Sequence, residues 1–336
     1  MTTELPPRTL RDPLRRLTAT PLKTDLSIMG RRVHLESNSA ALFSAIAALF
    51  EPLSESCSDP PDFLWRLVGE TSPDLVAPWP EMAAFSEEGL RYVTFGQRGF
   101  FAIDLDAREA IAFLPEAWAS DPVGFPSVFA ATLFDMIAPA LGLIEIPGAC
   151  VALNGRALLI FGPPRSGKTT STYFAGKLGL EFHADQASFL DLQSDELRAW
   201  GQFWPAAFRE ESVQFLPEVG SAESFTYGNL TFRCFLRHPF RAAQARSVVP
   251  VGCVFLERRD ARVPQLVPMG VAEREGRVRE SLSFQDDARF ESQYAQALRA
   301  IGKLPAYRLS YGSDPAVAAT FLRNILMVHD SLEVAR

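Results

Sequence analysis

At 336 residues with 47% hydrophobic and 22% charged side chains, the chain is too apolar for a disordered protein and long enough for two domains. A formal net charge of −7 speaks against a broad nucleic-acid surface. The four cysteines, Cys57, Cys150, Cys234 and Cys253, are scattered without a CxxC pair, which fits reduced thiols and neither a zinc site nor a disulfide frame.

In chain order, residues 1–24 are polar and proline-dotted, the composition of a mobile arm. They carry charges throughout and lack the apolar core of a signal peptide. An α+β N-terminal domain is expected over 25–145. Its elements are strands at Asp25–Met29 and Arg32–Leu35, a helix at Ala40–Phe50, a loop from Glu51 to Pro61 and a strand at Phe63–Val68. A hairpin follows (Leu90–Phe95 and Phe100–Leu105), then a strand near Ala110–Leu114 and a closing helix at Ser127–Ile137. The apolar stretch Phe125–Ile146 is broken by Pro126, Asp135, Pro139 and Glu145. It therefore reads as a buried helix and a following loop, not a membrane span. A cytoplasmic protein with no membrane and no nucleic-acid partner is expected.

A second domain is expected over 146–336. Ala149–Leu153 and Arg156–Phe161 are apolar runs joined by Asn154-Gly155, a hairpin signal because both turn positions need φ > 0. The second run leads into Gly162-Pro163-Pro164-Arg165-Ser166-Gly167-Lys168-Thr169, which fits G-x-x-x-x-G-K-[ST] in full. In such a loop, glycines let successive N–H groups converge on phosphate oxygens, and the next helix points its positive end at them. Pro163 and Pro164 have no N–H, so the donors must come from Arg165, Ser166, Gly167, Lys168, Thr169 and Thr170. Lys168 would neutralise the β/γ-oxygens, and the Thr169 hydroxyl would face Mg²⁺.

Helical spacing over Lys168–Leu178 ends at Gly179, and a strand, Leu180–Ala184, delivers Asp185. A strand–loop–helix–strand crossover brings that strand's end beside the phosphate loop. Asp185 can there take a hydroxyl proton or hold Mg²⁺. Asp191 is a weaker carboxylate that ends its strand, Ala187–Leu192, before a turn and the returning strand Leu197–Phe203. Strands near Leu230–Leu236, Val251–Leu256 and Ala306–Leu309, a helix at Phe290–Ile301 and a last helix capped by Asp314 with Pro315 behind it complete the chain. The basic segment Arg237, His238, Arg241 and Arg246 could reach phosphate or acceptor, although a solvated basic face is commoner. Glu210 and Glu211 could shape an acceptor pocket or simply open a helix. His183 alternates onto the side of Asp185.

The hairpin, the Gly162–Thr169 loop, Gly179 and His183-Ala184-Asp185 together resemble the catalytic domain of HPr serine kinase/phosphorylase and its HPr-kinase-like relatives, from about Pro147 through Gln186. The resemblance implies an α/β P-loop domain of the HPr-kinase/phosphoenolpyruvate-carboxykinase type behind a smaller α+β domain. It also implies ATP and Mg²⁺ as cofactors and Asp185 as the base that deprotonates a serine-type hydroxyl. Pro147 replaces the family's histidine, Gln186 replaces the second aspartate of its pair, and a Glu-x-Arg-Gly-x-Gly signature is absent. The acceptor therefore stays open among peptide, protein and small molecule, with Gln186, Arg241 and Arg246 as candidate contacts. Whether the chain forms a homo-oligomer is also left open. Two rivals remain: a P-loop ATPase or nucleotide-dependent switch, and a catalytically degenerate ATP-binding scaffold.

Overall fold

A computed structural model describes residues 18–53, 60–71, 79–241, 246–259, 263–281 and 288–334. Residues 1–17 of the mobile arm expected over 1–24, and most of the loop expected at Glu51–Pro61, lie outside these residues; Leu22, Lys23 and Thr24 of the expected arm instead open a strand, Leu22–Ile28. The chain separates into two units, Met1–Asp121 and Pro122–Arg336.

The first unit is α+β. Its elements are β1 (Leu22–Ile28), β2 (Arg31–Ser37), α1 (Ala40–Leu49), β3 (Glu51–Pro52), β4 (Phe63–Glu70), β5 (Met82–Glu87), β6 (Leu90–Phe95), β7 (Gly99–Asp104) and β8 (Glu109–Pro115). The strands form one sheet in the order β3-β1-β2-β4-β8-β7-β6-β5, with β2, β4 and β8 mutually parallel. Ser39 caps α1 by accepting from Leu42 N, and Leu42 and Ile46 sink into a core with Trp65 and Phe95.

The second unit opens with a π-helical turn, Phe125–Ala130, that runs into α2 (Ala131–Ile137). Then come β9 (Leu143–Ile146), β10 (Ala149–Leu153), β11 (Arg156–Phe161), α3 (Lys168–Lys177), β12 (Glu181–Ala184), β13 (Ser188–Asp191), β14 (Arg198–Gly201), β15 (Ala206–Arg209), β16 (Glu223–Tyr227), β17 (Leu230–Phe235), β18 (Val249–Arg258), β19 (Gln265–Pro268), α4 (Val271–Ser281), α5 (Glu291–Gly302), β20 (Ala306–Tyr311) and α6 (Pro315–Val334). A six-stranded sheet runs β12-β10-β11-β18-β20-β19, with β11, β18 and β20 parallel. Asn154 and Gly155 turn the β10–β11 hairpin at φ 52° and 79°, as that dipeptide requires. Val151, Leu158, Ile160, Val254, Leu256 and Leu309 pack with Ala175 of α3 and with Ala318, Ala319 and Leu322 of α6. That packing fixes where α3 starts, and so fixes the loop before it. Two smaller sheets, β14-β13-β9 and β15-β17-β16, complete the unit.

Two expectations are corrected. The helix expected to close the N-terminal domain belongs to the second unit, so the division falls at Asp121 and not at 145. The loop expected after that helix contains β9, which pairs antiparallel with β13. α2 is tied to the same neighbours, because Phe134 packs against Phe189 of β13 and against Phe203.

Candidate active site

β11 ends at Phe161, and the chain turns at once. Gly162 has φ 154°, where an added Cβ would lie 2.5 Å from Ser166 Oγ and 2.8 Å from Leu256 O. Pro163 and Pro164 start a turn closed by Ser166 N donating to Pro163 O at 3.1 Å, and Arg165 takes φ 66°. Gly167 has φ 90°, and a Cβ there would overlap the Tyr311 hydroxyl. That hydroxyl donates to Ser166 O at 2.6 Å, so a residue of β20 holds the loop from behind. α3 starts at Lys168, and Ser171 N reaches back to Gly167 O at 2.8 Å. The amides of Lys168, Thr169 and Thr170 occupy the first turn, which has no intrahelical acceptors. With the positive end of the helix they gather positive partial charge at the loop.

Lys168 leans over the loop, its Nζ donating to Gly162 O at 2.6 Å and to Pro163 O at 3.3 Å. Burial pushes its pKa down, and the nearby Asp185 carboxylate pushes it back up. Asp185 follows β12 directly and is 1% exposed. Burial lifts its pKa to about 6, although Thr169, Gln202, the Ala207 amide and Arg241 all favour the ionised form. Its Oδ1 accepts from Gln202 Nε2 at 2.8 Å. Its Oδ2 is buried and makes no hydrogen bond of ordinary geometry.

Loop and carboxylate meet in one cleft of about 940 Å³. Residues 162–170 line it together with Asp185, Gln186, Pro147, Ala207, Arg209, Glu211, Ser212, Phe215 and Phe232, and the Thr170 and Ser212 hydroxyls lie 3.5 Å apart. Arg258, Arg277 and Glu280 complete its rim. Arg258 lies over the Phe215 ring at 5.7 Å, and Arg277 pairs with Glu257 at 2.7 Å.

Several sequence candidates sit elsewhere. Arg241 does not line the cleft: its guanidinium donates to the carbonyls of Gln202 and Trp204, holding the segment behind Asp185. Arg246 is exposed and also lies outside the lining. His183 is buried beside Glu181, and its ring nitrogen lies 3.4 Å from that carboxylate. His238 stacks on Phe182 at 3.9 Å within an aromatic cluster. Asp191 ends β13 and accepts from Gln193 N at 3.0 Å, the turn role expected of it. Glu210 and Glu211 open a short 3₁₀ turn; Glu210 pairs with Arg233, while Glu211 faces the cleft. Sequence reading missed Gln202, Arg209, Phe215, Phe232, Arg258 and the support from Tyr311. None of them belongs to a local pattern, and each reaches the site through tertiary pairing.

Among the described residues, no cluster of three or more His, Cys, Asp or Glu side chains is arranged to hold a metal, and no helix is long and apolar enough to cross a membrane. Among the described residues, Cys150, Cys234 and Cys253 are buried and form no disulfide.

Fold and site together describe a mixed α/β chain of several sheets, with a glycine-rich loop opening a helix beside a buried carboxylate. No protein-family model matches the chain, and no curated protein does. Among solved structures it is similar to the HPr(Ser) kinase/phosphatase from Coxiella burnetii, at 9% identity, covering 55% of this chain and 98% of that one with a TM-score of 0.29. A likeness at that level carries no argument about activity.

Proposed function

We propose that the second unit is an ATP-dependent kinase that transfers the γ-phosphoryl group to a hydroxyl of a peptide, protein or small molecule. The observation that carries this reading is the shared cleft: the Gly162–Thr170 loop and Asp185 line the same 940 Å³ space. The cradle fits a polyphosphate. Its two glycines sit where a Cβ would collide, its helix-start amides lack helical acceptors, and its lysine ammonium donates to the loop carbonyls of Gly162 and Pro163. Mg²⁺ would be held by the Thr169 hydroxyl and the phosphates themselves, since Mg²⁺ is commonly bound with few protein ligands, and it would offset phosphate charge.

Asp185, with a pKa near 6, is ionised at neutral pH yet basic enough to take a proton. As the acceptor oxygen bonds to the transferred phosphorus, its proton passes to Asp185 and nucleoside diphosphate leaves. Lys168 and the loop amides supply electrostatic stabilisation, the main source of catalysis in such transfers. Water in place of the acceptor would make the same machinery a hydrolase.

The test is incubation of the full chain with γ-labelled ATP and Mg²⁺ against hydroxyl-bearing peptides and small molecules, with Asp185→Asn and Lys168→Ala as controls. Label on an acceptor, lost in both variants, supports the reading. Transfer that survives Asp185→Asn removes the base role, and labelled phosphate without a labelled acceptor points to hydrolysis.

A further inference from the structure

Sheet order gives the cleft two flanks. The strands run β12-β10-β11-β18, and β12 and β18 both lie parallel to β11, because β10 is antiparallel to β11 and to β12. Asp185 follows β12 and Arg258 ends β18, so they stand at the same end of the sheet, on either side of the loop that follows β11. Three strand spacings of about 4.8 Å set these strand ends about 14 Å apart. A nucleoside triphosphate spans that order of length between its γ-phosphate and its base. With the γ-phosphate beside Asp185, the nucleoside extends toward Arg258.

What stands on that flank is flat. The Arg258 guanidinium donates to Ser313 O at 3.3 Å and lies over the Phe215 ring at 5.7 Å. Among the described residues four phenylalanines line the cleft, and two of them, Phe161 and Phe255, are buried and stacked on each other at 5.0 Å. Phe232 pairs in register with Arg209 of β15, two residues past Ala207, whose amide supports the Asp185 carboxylate; it therefore belongs to the Asp185 flank. Phe215 is the half-buried ring left for the other. Its turn, Glu210–Gln214, passes the start of α3, where Ser212 meets Thr170, and the fully buried Leu216 anchors it behind. We infer that Phe215 and Arg258 form the nucleobase subsite of this cleft, the base of the donor nucleotide stacking on the ring and the guanidinium. The inference rests on the kinase reading for the place of the γ-phosphate. Every base has a π-face, so such a platform adds affinity with little choice among bases.

The experiment is calorimetry on the full chain with Mg²⁺, comparing ATP with inorganic tripolyphosphate, which offers the loop its phosphates and has no base. Phe215→Leu keeps apolar bulk but removes the ring, and should weaken ATP about tenfold while leaving tripolyphosphate within about twofold. GTP should lose as much as ATP. Phe215→Trp restores a ring and should recover the loss. Arg258→Met, at an exposed position, should likewise weaken ATP and spare tripolyphosphate, and it decides alone if Phe215→Leu fails to fold. A folded variant that binds ATP as wild type does removes its residue from the subsite. Equal loss for both ligands also overturns the inference, because it sets the residue on phosphate. In either case tripolyphosphate binding that disappears in Lys168→Ala still supports the phosphate loop. Wild type that binds neither ligand overturns the nucleotide reading and this inference with it.

Discussion

Replacing Asp185 by asparagine should stabilise the protein, and by an amount that depends on pH. The folded state raises this carboxyl from 3.8 to about 6, because full burial penalises the charge more than its neighbours reward it. The sign follows. A folded state that holds the proton more tightly is favoured below 3.8, loses stability as pH rises from 3.8 through 6, and carries a constant deficit above. Holding the carboxyl at about 6 instead of 3.8 is worth about 3 kcal/mol at neutral pH. Asparagine keeps an oxygen for the Gln202 donor and has no charge to bury. Its new N–H₂ group replaces the orphan Oδ2 and must find an acceptor, so the absolute gain is smaller than the full penalty. The difference between variant and wild type cancels the other titrating groups and should grow by about 2–3 kcal/mol between pH 4 and pH 7.5. Urea unfolding at both pH values, followed by the fluorescence of Trp200 and Trp204, measures it. A gap between the two proteins that is equal at pH 4 and pH 7.5 would refute the claim that the ionised carboxylate is held at a cost. A variant both more stable and inactive is the pattern expected where a strained site serves catalysis.

Other expectations follow from the same geometry. His238, pushed down to about 3 mainly by burial, binds protons in the unfolded chain below 6.5 that it cannot bind when folded. Stability present above 6.5 is therefore lost on acidification, at up to about 1.4 kcal/mol per pH unit. Asp185 works in the opposite direction between 3.8 and 6, so the slope is best measured in Asp185→Asn, where adding His238→Phe should flatten it; an unchanged slope rejects the assignment. At Gly201 an added Cβ would overlap the His183 backbone carbonyl, so Gly201→Ala should cost about 1–3 kcal/mol, visible as a lower melting temperature. Tyr311→Phe removes the hydrogen bond to Ser166 O and should weaken ATP binding about fivefold by calorimetry without unfolding the protein, an effect of about 1 kcal/mol. Unchanged affinity would show that the loop holds its shape without that support.

The residues around the site were legible to the extent that their signals were local. Asn154-Gly155, the glycines of the loop and Pro315 after Asp314 each fix a backbone conformation within a few residues, and the hairpin strands fall where they were expected. Asp185 was placed from the crossover alone, and it does line the same cleft as the loop. What escaped had no local signal. In α4, VAEREGRVRES carries charges around most of its circumference and a central Gly276, so no apolar stripe announces a helix. Every residue of β5 is exposed, which removes the alternation that reveals a half-buried strand. Gln202 owes its place to the return of β14 along β13 and not to any spacing from Asp185. Arg241 had the right charge for a phosphate contact, but backbone carbonyls claim its guanidinium.

The pairing of β9 with β13 has a practical corollary for anyone shortening this protein. A cut at residue 146, the point suggested by the sequence, would delete the outer strand that borders Ser188–Asp191 and the α2 phenylalanine packed on Phe189. The stretch bearing Asp185 and Gln186 runs directly into that strand, so its anchorage would be stripped from one side while the phosphate loop stayed intact. Such a fragment should still hold nucleotide and yet transfer nothing, a result easily mistaken for natural inactivity; starting at Pro122 avoids it.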